Sequence, residues 1–113
     1  TEKEIVTTGR VVLDGTVSRR IIRRVIQRHL AEVRYCYVSK GLAQNAKLSG
    51  MIKVQFIVSP NGRVTSVAVL PASTLNHTAT ERCVARAIRR WKFPKTSNVV
   101  SVKYPFHFRP SAL

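Results

Sequence analysis

The stretch "GMIKVQFIVSPNGRVTSVAVL", Gly50 to Leu70, constrains the fold more than any other part of the chain. Ile52, Val54, Phe56 and Val58 fall on every second position, the period at which strand side chains share one face of a sheet. Val67 and Val69 are the inward candidates on the run that follows. Between the two runs, Pro60-Asn61-Gly62 supplies the fixed φ and the tolerance of positive φ that a tight hairpin turn needs. A central antiparallel hairpin excludes an all-helical domain, so the architecture is set by what flanks it.

Both flanks read as helices. Ile22, Val25, Ile26, Leu30, Val33 and Tyr37 recur at three- and four-residue spacing and predict one amphipathic helix, with Ser18 as its N-cap and Gly41 as its stop. Arg19, Arg20, Arg23, Arg24 and Arg28 occupy the rest of its circumference. After the turn-rich "PASTLNHT", a second stripe runs through Cys83, Val84, Ala87, Ile88 and Trp91, with Arg82, Arg86, Arg89 and Arg90 outside it and Pro94 barring continuation.

The chain closes on "NVVSVKYPFHF", where Val100, Val102, Tyr104, Phe106 and Phe108 alternate with Ser101, Lys103, Pro105 and His107. That is a strand with one aromatic face, and Pro105, which has no N–H, places that stretch at a sheet edge. The order helix, hairpin, helix, strand predicts an α+β two-layer sandwich: a three-stranded antiparallel sheet with two helices packed on one face. If the second helix carries the chain across the sheet, the last strand pairs beside the first hairpin strand and keeps one edge open. Residues 1–17 hold no helical period and read as a linker or N-terminal extension, in which "RVVL" has the makings of a short strand. The domain is expected over 18–110, with 111–113 as a tail, and a chain opening at Thr1 is expected to be a piece of something longer.

Charge is the unusual bulk property. Twenty Lys and Arg against five Asp and Glu give a formal +15, a surface that attracts nucleic acid, anionic lipid or glycan, or an acidic protein face. Arginine faces beside an aromatic strand are compatible with nucleic-acid binding. However, "IKVQFIV" lacks the pattern of an RNA-recognition strand, and the intervening hairpin excludes a helix-turn-helix, so nucleic acid is disfavoured. An enzyme needs convergent acids, bases or nucleophiles. Glu2, Glu4, Asp14, Glu32 and Glu81 form no recognisable pair, and His29, His77 and His107 fall on a helix, a loop and a strand without catalytic spacing. No close Cys or His spacing announces a metal, so no cofactor or metal is expected. No apolar run reaches the length of a membrane-spanning helix.

Cys36 and Cys83 lie on the apolar stripes of the two helices. Two readings stay open: buried free thiols, or a staple between helices that share a sheet face. The bond would close a loop of 46 intervening residues, worth about 4 kcal/mol in the chain-entropy description, and would place the domain in an oxidising compartment.

Taken together, the "G-x-V/I-x-V-x-F-x-I/V"-like strand at Gly50 to Ile57, the "NG" turn with Val64, and "W-x-F-P" at Trp91 to Pro94 resemble the TonB C-terminal domain family. Cys36-Tyr37, the matching Cys83, and "Y-P-F-x-F" at Tyr104 to Phe108 are similar to its AgmX/PglI subgroup of myxobacterial envelope and gliding-motility proteins. The resemblance covers about residues 18–110. It implies a non-enzymatic periplasmic domain of an inner-membrane-anchored protein that transmits energy or force to an outer-membrane or periplasmic partner. In that family recognition is by β-augmentation, in which an extended peptide adds to the edge of the last strand. Carried over, the binding edge is the last strand, with Val99, Ser101, Lys103 and His107 as its partner-facing positions. The alternative is a polyanion-binding module, for nucleic acid or an anionic envelope glycan or lipid, that uses the two arginine faces.

Overall fold

The computed structural model describes residues 18–110 in full and, before them, the backbone of Ile5–Thr8 and Val12–Asp14. The hairpin forms as the alternation dictates, with strands β3 (Gly50–Val58) and β4 (Val64–Val69) paired antiparallel. Its turn is closed by the Gly62 N–H donating to Ser59 O at 2.8 Å, with Gly62 at φ 88°. Glycine is required there twice over, because a Cβ would also sit 2.0 Å from the Phe93 carbonyl oxygen. The segment after the second helix clasps the turn in return, through Phe93 N to Gly62 O at 2.9 Å and Thr96 N to Pro60 O at 2.9 Å.

The first helical stretch is three pieces rather than one: α1 (Arg19–Arg28), α2 (Leu30–Cys36) and a π-helical segment, Tyr37–Leu42. Ser18 caps α1 by accepting the Arg20 N–H at 3.2 Å. The break falls at His29, whose N–H donates to Ile26 O over a three-residue span and whose backbone leaves the helical region at φ −106°, ψ 8°. Gly41 does not stop the helix as expected. It lies inside the π-helical segment, where a Cβ would come within 2.7 Å of Leu48 and 2.9 Å of Thr80, so close packing is what excludes a side chain. After the loop comes α3 (Thr78–Arg89), then β5 (Val100–Arg109).

β5 pairs with β3 over nine positions, from Gly50↔Phe108 to Val58↔Val100. The three-stranded antiparallel sheet and the helices on one face are thus as the sequence predicts. Val100, Val102, Tyr104, Phe106 and Phe108 meet Ile52, Val54, Phe56, Val58, Ile22, Ile26, Val33, Tyr37, Val84, Ile88 and Trp91 in one buried cluster. Val67 and Val69 are partly buried against it.

Two features depart from expectation. The segment read as a linker supplies two more strands, β1 (Ile5–Thr8) and β2 (Val12–Asp14). Both pair antiparallel with the far side of β5, so the last strand does not keep an open edge. Of the expected "RVVL" strand, Val12 and Leu13 are in β2, while Arg10 and Val11, like the 111–113 tail, lie outside the described residues. Among the described residues no helix is long and apolar enough to cross a membrane.

Candidate functional site: the outer edge of the last strand

The direction of each β5 backbone group follows from β3. Lys53 O accepts from Leu70 N at 2.7 Å and Met51 O accepts from Thr74 N at 2.8 Å, so the odd residues of β3 point toward β4 and its continuation. Antiparallel ladders alternate, so the even residues of β3 face β5 and bond Val100, Val102, Tyr104, Phe106 and Phe108. The odd residues of β5, namely Ser101, Lys103, Pro105, His107 and Arg109, therefore turn their backbone groups to the outer edge. Their side chains stand on the face away from the helices, where Lys103, His107 and Arg109 are exposed.

That edge is a strip for extended backbone, and the chain's own N-terminal segment lies on it. β2 sets Val12 opposite Lys103 and Asp14 opposite Ser101; β1 sets Thr7 opposite His107 and Ile5 opposite Arg109. Pro105 is paired with Lys53 on its inner side, and the donor it lacks belongs to the outer side. The edge position read from Pro105 is not what forms: β5 is flanked by β3 on one side and by β1 and β2 on the other. Of the expected partner-facing positions, Ser101, Lys103 and His107 lie on this strip. Val99 precedes β5 and is 56% exposed.

The arginines do not form one face. Arg82, Arg86 and Arg90 share a stripe of α3 and, with Lys40, rim a groove of about 610 Å³ between α2 and α3. Ala31, Ala79, Ala87, Cys36 and Cys83 also line it, and Tyr35, 68% exposed, stands at its side. Arg24 and Arg28 border a separate hollow with Ile21 and Pro94, and Arg89 borders a third with Arg63. Arg19, Arg20 and Arg23 are exposed on α1 and border none of the three. Among the described residues no Lys or Arg forms an ion pair.

The Cys36–Cys83 disulfide joins α2 to α3 with a Cα–Cα distance of 5.5 Å and lines the groove. A second tie between the same helices was not legible in the sequence. His29 stacks on Trp91 at 4.9 Å between ring centroids, its Nδ1 meets Glu32 Oε2 at 2.7 Å, and Trp91 Nε1–H donates to Glu32 Oε1 at 3.3 Å. The three-residue His-to-Glu spacing was the only local signal, and Trp91 is 59 residues from Glu32. His77 is structural as well. Its Nδ1 accepts the Thr80 N–H at 3.3 Å, capping α3, and its Nε2 meets Gln44 Oε1 at 3.0 Å, which together define the Nε2–H tautomer. Among the described residues no group of His, Cys, Asp or Glu is placed to hold a metal.

Comparison with known proteins bears on this arrangement. The family model for the Gram-negative bacterial TonB protein C-terminal matches residues 41–110. Protein TonB of Escherichia coli (strain K12) is 38% identical over 66 residues, 55% of this chain and 27% of that protein. Protein TonB of Klebsiella pneumoniae is 32% identical over 81 residues, 68% of this chain and 32% of that protein. The chain spans about a third or less of the length of these curated relatives. The NMR solution structure of the Helicobacter pylori TonB-CTD aligns at a TM-score of 0.46 and 19% identity, covering 88% of this chain and 100% of that one.

Proposed function

Since this chain belongs to the TonB C-terminal family, we propose that it is a non-enzymatic periplasmic docking domain of an inner-membrane-anchored protein, coupling energy or force to an outer-membrane or periplasmic partner. The partner's extended segment pairs with the outer edge of β5. One observation carries this reading: the outward backbone groups of Ser101, Lys103, His107 and Arg109 form a strip that extended chain already occupies in register. Main-chain pairing supplies affinity, and the exposed side chains of Lys103 and His107 beside the added strand supply choice. The finer assignment to the AgmX/PglI subgroup, and with it gliding motility, rests on Cys36-Tyr37, Cys83 and Tyr104 to Phe108.

The α2–α3 groove favours a second reading. Its rim of Lys40, Arg82, Arg86 and Arg90, against the single acid Glu32 in a mostly apolar lining, suits an anionic envelope polymer or lipid headgroup. Salt separates the two. Capture of an envelope fraction between about 50 and about 500 mM salt should weaken only modestly if backbone pairing dominates, whereas charge-driven binding falls steeply. A steep loss, unaffected by Lys103→Pro, would refute edge docking in favour of the groove.

A further inference from the structure

We propose that the N-terminal strands β1 and β2 are a resident competitor on the docking strip, so that a partner binds by displacing them. This rests on the docking reading above and adds its regulation.

Three observations lead there. First, the two N-terminal strands lie on the one side of β5 that β3 does not use, and they address the same odd-numbered backbone groups that an incoming strand needs. The strip cannot hold both. Second, the competitor is tethered. Only three residues separate Asp14 from Ser18, the α1 cap, so a displaced β2 stays close and re-pairs as an intramolecular event. Third, this strap is short: β1 makes four pairs with β5 and β2 three, so a partner has few backbone pairs to displace.

The test uses the 113-residue chain and a fluorescently labelled peptide, IVTTGRVVLD, as probe. Amide exchange is followed residue by residue in the wild type, in Thr7→Pro/Val12→Pro, which removes donors aimed at His107 and Lys103, and in Thr7→Ala/Val12→Thr, which keeps them. The amides of Ser101, Lys103, His107 and Arg109 should be protected in the wild type and the donor-keeping variant and lose roughly tenfold or more in the proline variant. Val102, Tyr104, Phe106 and Phe108, bonded to β3, should be unchanged in all three and so report an intact fold. The probe should bind the proline variant at least about tenfold more tightly than the wild type, because apparent affinity scales with the open fraction. Fast exchange of the odd-numbered amides in the wild type overturns the proposal, as does equal probe binding by all three proteins. If the competitor fails in this way while a photocrosslinker at position 103 still captures an envelope partner, the docking reading survives. If the strap behaves as described and position 103 captures nothing, the docking reading fails instead.

Discussion

Reducing the Cys36–Cys83 bond should lower the melting temperature of the domain by about 15 to 20 °C while leaving the fold unchanged at room temperature. The two cysteines are 47 residues apart in sequence, and the loop-closure entropy restored to the unfolded chain on cutting such a bond is worth about 4 kcal/mol. A domain of this size shifts by roughly 4 °C per kcal/mol, which gives the stated range. Reduction is cleaner than substitution, because Cys36 is buried at 2% exposure and an alanine there would add a packing loss to the entropy term. Circular dichroism during thermal unfolding, with and without a phosphine reductant, reads the effect, and thiol titration confirms the redox state. The His29–Glu32–Trp91 cluster and the buried face of α2 hold the helices together in the folded reduced protein. A shift below about 5 °C would show that the closed loop does not restrain the unfolded chain as reasoned. Loss of structure on reduction at room temperature would show that the remaining core is not sufficient.

Other substitutions test separate links. Gly62→Ala meets both a positive φ and the Phe93 carbonyl, so it should cost more than about 2 kcal/mol in urea unfolding and loosen the segment around Thr96. His77→Ala removes the α3 cap and the link to Gln44 and should cost about 1 kcal/mol, with faster amide exchange confined to the first turn of α3. Arg82→Glu/Arg86→Glu should weaken retention on an anionic matrix far more than Arg19→Glu/Arg20→Glu, because the former pair shares the α2–α3 groove and the latter stands alone on α1.

The hairpin, the helical stripes and the aromatic face of the last strand were legible in the sequence because each is written locally. Alternation names a strand face, Pro60-Asn61-Gly62 names a turn, and Ser18 names a cap. The break at His29 was not, since the three- and four-residue stripe runs straight through it and the Trp91 ring that meets His29 lies just past the end of α3, far away in sequence. Gly41 misled for a related reason. A glycine beside a helix end signals a stop by its freedom of φ, yet here it answers to crowding by Leu48 and Thr80. The N-terminal strands were hardest to see. They are four and three residues long, and they pair with a strand roughly ninety to a hundred residues downstream. A run of three or four residues leaves little mark on composition. Pro105 carried a usable signal, because a residue without a donor had to face outward, but it could not say what lies beside it.

Docking depends on the outer edge of β5, and a photocrosslinking side chain read in an envelope fraction reports on that edge itself. With the crosslinker at Lys103 on that edge and, as control, at Ser66 on β4, the opposite margin of the sheet, a partner adduct should form from position 103 and not from 66. Opening the strap with Thr7→Pro/Val12→Pro should increase it. Adducts from position 66 alone, or equally from both, would contradict edge docking on β5.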